Sequence, residues 1–214
     1  MAAEDGETTA EALAGAAVVE RLDAAGLQAE LDPLSEVLHA AVQAGASVNF
    51  ILPFSLNDAR IFWLAKALPA LRAGGRTLLV ARLEGRIAGT VMLDTDTPPN
   101  QAHRADVTKL LVHPDFRRRG LARRLMQALE AEAAARGRWL VTLDTRTGDS
   151  AEPLYRSLGY AVAGSLPYFC RATETERYDA TTYMYKVLAG APIEQAQAAS
   201  AGDPSATSAD QSAQ

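Results

Sequence analysis

One cysteine, Cys170, stands in 214 residues, so the chain forms no disulfide within itself. No histidine neighbours it in sequence to hold it as a thiolate, and a packing role is expected of it. His39, His103 and His113 are scattered, and no Cys or His pair has metal-ligand spacing, so no metal is expected. No apolar run approaches the roughly 20 residues of a membrane-spanning helix. A basic leader with an apolar stretch behind it is also lacking, and a cytoplasmic protein is expected. Positive charge is scarce: 21 Lys and Arg face 26 Asp and Glu, a formal net charge of −5. That balance argues against nucleic-acid and membrane partners, both of which call for a broad basic face.

What the chain has in quantity is apolar residues, 48% of the total, enough for one sizeable core. Residues 1–15 and 190–214 are rich in Ala, Ser, Thr, Gln, Asp and Glu and poor in large apolar side chains. Such segments bury too little surface to offset their ordering entropy, so both are expected to be disordered tails around one domain, residues 16–189.

Within that domain the patterns alternate between strand and helix. Ala17–Leu22 reads as a strand, and Asp32-Pro33 as the N-cap and first position of a helix closed by Gly45. Ser55 with Asp58 resembles a capping box, opening a helix that Pro69 and Gly74-Gly75 are expected to end. Thr77–Leu83 and Arg86–Leu93 flank Glu84-Gly85 as an antiparallel hairpin. Asp106–Val112 reads as a central strand, 119–136 as a helix stopped by Gly137, and Trp139–Asp144 as the next strand. Strands near Tyr160–Gly164 and Thr181–Leu188 complete an α/β fold of the mixed α+β kind, with helices on both faces of a mixed sheet.

The junction Lys109–Met126 carries the most chemistry. An apolar strand runs through a turn into a helix whose first residues are Gly, small and Arg. First-turn N–H groups have no partner inside a helix, and the dipole adds roughly half a positive charge there. The loop Arg117-Arg118-Arg119-Gly120-Leu121-Ala122 therefore suits a phosphate or pyrophosphate. Gly120 lets the phosphate approach the backbone, and Ala122 keeps that face small.

Arg117-x-x-Gly120-x-Ala122 after Leu110-x-Val112-x-Pro114 resembles the pyrophosphate loop of the GNAT acyltransferases. The strand Trp139–Asp144 and the segment Leu154–Tyr160 follow in the family's order and spacing. Further segments, among them Gly45–Phe50, Arg104–Leu111, Leu143–Thr145, Leu166–Cys170 and Thr182–Lys186, are similar to the family branch that contains a tabtoxin resistance protein. The resemblance implies a mostly antiparallel sheet splayed between its fourth and fifth strands, acetyl-CoA as co-substrate, and transfer of its acetyl group to an amine. It also implies that the backbone of Leu111 and Val112 pairs with the pantetheine amides, while loop amides around Gly120 hold the pyrophosphate. Tyr155 matches the tyrosine that protonates the departing thiolate.

Acetyl transfer to an amine needs the neutral amine held against the carbonyl carbon, donors for the developing oxyanion and an acid for the thiolate. Two carboxylates are candidates for the base, Asp106 on the central strand and Asp144 at the end of the next. Lys109 is turned by strand alternation to the face opposite Asp106. Gly45–Phe50 and the Leu166–Cys170 loop are expected to wall the acceptor pocket. The leading reading is a small-molecule amine N-acetyltransferase, possible as a homodimer. A protein or peptide N-acetyltransferase and a non-catalytic CoA-binding module are the alternatives.

Overall fold

The hairpin expected at Glu84-Gly85 forms in the computed structural model, which describes residues 17–192. The disordered tails expected at 1–15 and 190–214 lie outside the described residues, apart from Gly190–Pro192. Strand β2 (Arg76–Leu83) turns into β3 (Arg86–Asp94) through Glu84 and Gly85, both left-handed at φ 53° and 75°. Two successive positive φ values are what a two-residue type I′ turn requires, and its twist matches that of the strands it joins.

The other strands are β1 (Val18–Leu22), β4 (Arg104–Val112), β5 (Leu140–Arg146), β6 (Ala161–Arg171) and β7 (Tyr178–Val187). They join one sheet in the order β1-β2-β3-β4-β5-β7-β6. Every neighbouring pair is antiparallel except β4 with β5, which run parallel. The mixed, mostly antiparallel sheet with helices on both faces is thus present.

Alternation along the strands divides the core in two. On one face, Leu79, Ala81, Val107, Val141 and Leu143 pack beneath Leu121, Leu125 and Leu129 of helix α5 (Leu121–Ala135). On the other, Leu78, Val80 and Met92 pack against four N-terminal helices: α1 (Ala24–Ala29), α2 (Leu31–Gln43), α3 (Leu56–Phe62) and α4 (Leu68–Arg72). A short helix α6 (Glu152–Ser157) adds Tyr155 to the first cluster.

Three local expectations need correction. Helix α2 begins at Leu31, so Pro33 lies inside its first turn, where its missing N–H removes no intrahelical bond. Pro69 does not end its helix. The chain widens into a π-type turn over Trp63–Ala67, with the Leu68 N–H donating to the Trp63 carbonyl, and continues to Arg72. The wide turn comes just where a proline in a regular helix would crowd the carbonyl four residues back. Finally, Leu166–Cys170 is no loop but part of β6, whose pairing slips between Leu166 and Cys170 around Tyr168 at φ 55°. Pro167 is tolerated there because β6 is the sheet edge. The capping box is as expected: Ser55 Oγ accepts from the Asp58 N–H at 3.1 Å, and Asp58 accepts from the Ser55 N–H at 2.8 Å.

Candidate active site

The centre of the molecule is set by an extra residue in β4. Thr90 lies opposite Leu111 but Met92 opposite Thr108, so three steps on β4 meet two on β3, a β-bulge. Lys109 takes the strain at φ 52°, and Thr90 Oγ1 donates to its carbonyl at 3.1 Å. Gly89 makes room, since a Cβ there would stand 2.7 Å from the Leu111 carbonyl oxygen. On its other side β4 pairs with β5 only through Arg104–Asp106 against Leu140–Thr142. Beyond that point the two strands part, and Leu110, Leu111 and Val112 line the opening.

The opening is a cleft of about 580 Å³. Its walls are Val107–Val112 of β4, the residues leading into α5, Asp144–Arg146 at the end of β5, Gly45–Asn49 after α2, and Tyr155. At one end Arg118 (φ 65°) and Gly120 (φ 76°) both adopt left-handed backbone, and Gly120 caps α5. The Arg124 N–H donates to the Gly120 carbonyl at 3.2 Å, leaving the N–H groups of Leu121, Ala122 and Arg123 without helical partners. A Cβ on Gly120 would meet nothing within 4 Å, so the space above those amides is open. Arg117 and Arg118 line this end; Arg119 does not. Its guanidinium lies 5.6 Å from the Phe116 ring centroid and 3.6 Å from Glu84, drawn to the β2–β3 turn. Arg123, absent from the sequence expectation, takes a place in the lining, with its guanidinium donating to Ser157 Oγ at 2.6 Å.

The two expected carboxylates separate. Asp106 sits where β4 and β5 are still paired, bound to Arg104 and to the Thr142 hydroxyl, and is not part of the cleft lining. Asp144 lies past the point of parting and lines the cleft. It accepts from Thr181 Oγ1 at 3.0 Å, and among the described residues no cation pairs with it. Tyr155 lies in the middle of α6, and its ring meets Tyr160 edge-on at 5.9 Å. Burial, followed by the negative charges of Asp149 and Asp144, pushes its phenol pKa up, so the hydroxyl keeps its proton at physiological pH.

Lys109 is where alternation misleads. Val107 points to the α5 face and Thr108 to the other, so a regular strand would return Lys109 to the α5 face. The bulge instead keeps it with Thr108, and its ammonium lies 5.5 Å from the Phe50 ring and 5.3 Å from the Phe62 ring. Burial, then the charge of Arg76, lowers its pKa from 10.5 to about 8, against a smaller opposite pull from Asp144. Of the two segments expected to wall the acceptor pocket, Gly45–Asn49 lines the cleft while Phe50 and Leu166–Cys170 do not. Among the described residues no three His, Cys, Asp or Glu side chains gather as a metal cluster, and no helix is long and apolar enough to cross a membrane.

Comparison with known proteins bears on this geometry. The acetyltransferase (GNAT) family model matches residues 48–160, more than half of the chain. An uncharacterised N-acetyltransferase from the hisH-hisA intergenic region of Azospirillum brasilense is 35% identical over 137 residues, covering 63% of this chain and 79% of the relative. Among solved structures, a ribosomal-protein-alanine N-acetyltransferase from Brucella melitensis superposes with a TM-score of 0.65 at 25% identity, covering 80% of this chain and 99% of its own. The Salmonella typhimurium protein yncA, solved with its cofactor acetyl-CoA, has a TM-score of 0.66 at 20% identity, covering 85% and 99%. A family match over this span and a relative at this identity carry one conclusion: the chain belongs to the GNAT family and is an N-acetyltransferase of that type.

Proposed function

We propose that this protein transfers the acetyl group of acetyl-CoA to the primary amine of a small molecule in the cytoplasm. The observation that carries this reading is a single cleft in which the parted edge of β4, the open helix start at Gly120, Tyr155 and Asp144 all meet. Acetyl-CoA fits the residues present. The unpaired β4 backbone offers amide partners to an extended chain, and the free N–H groups of Leu121–Arg123 with Arg117, Arg118 and Arg123 suit a pyrophosphate. The bound co-substrate supplies an acyl group on a thioester.

The protein's own groups then divide the work. Asp144, paired with no cation among the described residues, holds the acceptor ammonium and takes its proton, directly or through water. Tyr155, held neutral, donates a proton to the departing sulfur. Asp106, neutralised by Arg104, orders the strand junction and serves neither step. A cleft of about 580 Å³ with Gly45–Asn49 closing one wall suits a small acceptor better than a folded protein surface. Two copies of the chain are proposed to pair through β6: all of Ala161–Phe169 is exposed on that edge strand, including Val162, Leu166, Tyr168 and Phe169.

A panel of small primary amines with acetyl-CoA, read by thiol release, tests the reading. The expected result is amine-dependent release by one or more members that falls in the Tyr155→Phe variant. Release only with peptide or protein acceptors, or none with folded protein, would contradict it.

A further inference from the structure

The acceptor end of the cleft holds one carboxylate and one ammonium that are unpaired among the described residues. Asp144 and Lys109 both line the cleft, and both lie on the sheet face toward α3, Asp144 by alternation from Leu143 and Lys109 through the bulge. The other charges on this face are already matched. Arg104 binds Asp106, Arg76 binds Asp94 at 2.7 Å, and Arg146 binds Asp149 at 2.8 Å with Asp179 at 3.9 Å. Lys109 alone is held by ring faces, Phe50 and Phe62, which stabilise a cation but accept no conventional hydrogen bond from it. Among the described residues no carboxylate pairs with Lys109, and its ammonium takes part in no hydrogen bond. Beside it Thr108, also in the cleft lining, has a buried hydroxyl with no hydrogen-bond partner among the described residues.

An ammonium withdrawn from water with no anion in contact is costly to hold, and a bound anion relieves that cost. The fold has met the desolvation in advance, so an anionic ligand gains the attraction without stripping water from the lysine itself. Asp144 makes the matching offer to a cation a short way across the cleft, near enough for its charge to act on Lys109.

We propose that the acceptor is an amine that also carries a carboxylate, an amino-acid-like zwitterion, with Lys109 binding the carboxylate and Asp144 the ammonium. This rests on the amine-transfer reading above and names its substrate class. Lys109 is then a specificity-determining residue. It leaves a substrate without the carboxylate free to react but poorly held.

The test compares the free amino acids glutamate, serine, methionine, lysine and phenylalanine with their carboxamides. Each is titrated by calorimetry into the CoA-loaded protein, then assayed with acetyl-CoA by thiol release. Binding and kcat/KM are expected to favour the carboxylate over its carboxamide by tenfold or more for at least one pair. That ratio should fall at least tenfold in Lys109→Met, mainly through KM, and be largely retained in Lys109→Arg. Lys109→Gln, with melting temperature as a check on folding, serves if the Met variant does not fold. A ratio near one in the parent for every pair, or a ratio unmoved in both neutral variants, overturns the proposal. Carboxylate-selective binding that depends on Lys109 but gives no thiol release would uphold the site and defeat the transfer reading instead.

Discussion

Tyr155 is asked to be an acid, and its surroundings favour that role. It is 6% exposed, and two nearby carboxylates add to the effect of burial in keeping the phenol protonated. Tyr155→Phe keeps the ring in the core while removing the proton, so kcat should fall by about 10²–10⁴-fold with CoA affinity little changed. Steady-state kinetics beside a CoA titration checks this; a Phe variant with full kcat would remove Tyr155 from the chemistry. Lys109 gives a second residue-level expectation, through linkage. Its folded pKa, about 8, lies below the ordinary 10.5, so the unfolded chain binds more protons between those values. The charged lysine therefore burdens the fold fully below pH 8, and stability should rise as pH climbs from 8 towards 10.5. The charges facing it are Arg76 from β2 and Asp144 from β5, with Phe50 and Phe62 around it. Lys109→Met should be more stable near pH 7 by about 1–3 kcal/mol and should lose that rise, as denaturant titration across pH would show. A variant less stable at pH 7, or one keeping the rise, would contradict the account of this lysine. In the sequence Asp106 and Asp144 looked equivalent, each a carboxylate on a flanking strand. What separates them is the register at which a parallel pair parts, and neither residue type nor period carries that information.

At the scale of elements, the bulge in β4 does the most, because it opens the strand edge and turns Lys109 towards α3. It depends on Gly89, where a Cβ would meet the Leu111 carbonyl at 2.7 Å and Leu125 Cδ1 at 3.2 Å. The first of these is backbone and cannot swing aside. Gly89→Ala should cost about 1–3 kcal/mol through overpacking and should weaken CoA binding by disturbing the β4 edge. Thermal melts and titration together test this, and a variant with unchanged stability and affinity would show that the bulge tolerates a side chain. Elements with local signals were readable beforehand. Gly120 and Gly137 bracket α5 at φ 76° and 70°, Ser55 and Asp58 cap α3, and Glu84-Gly85 makes the hairpin. Those whose shape comes from tertiary packing were not. Helix α1 is only six residues long, the π-type turn lets a helix pass Pro69, and β6 looks like a loop because an edge strand can carry Pro167 and a pairing slip. The strand, turn and helix around Gly120 were legible because phosphate binding at a helix start requires particular residues at fixed offsets. The bulge left no such mark.

Across the whole molecule, a net charge of −5 coexists with a cleft mouth where Arg117, Arg118 and Arg123 converge on a helix start. Elsewhere most arginines are matched to carboxylates, whereas these three have no carboxylate partner among the described residues, which suits one small anion. The β6 edge of the sheet carries exposed apolar side chains: Leu166 is 49%, Tyr168 81% and Phe169 45% exposed. Pairing of two β6 edges about a two-fold axis would satisfy their free backbone groups and cover these side chains. Sedimentation should accordingly give about twice the 22.7 kDa chain mass, and Phe169→Glu should shift it towards one; a parent sedimenting as a single chain would refute the dimer. The acetyl-CoA site is proposed to lie along the parted β4 edge and the Gly120 helix start. Its most direct test is calorimetric titration of CoA into the parent and into Gly120→Glu, which sets bulk and negative charge in the open space above the α5 amides. Saturable one-site binding by the parent is expected, with loss of most of that affinity in a folded Gly120→Glu. Equal affinity in the two proteins would contradict it.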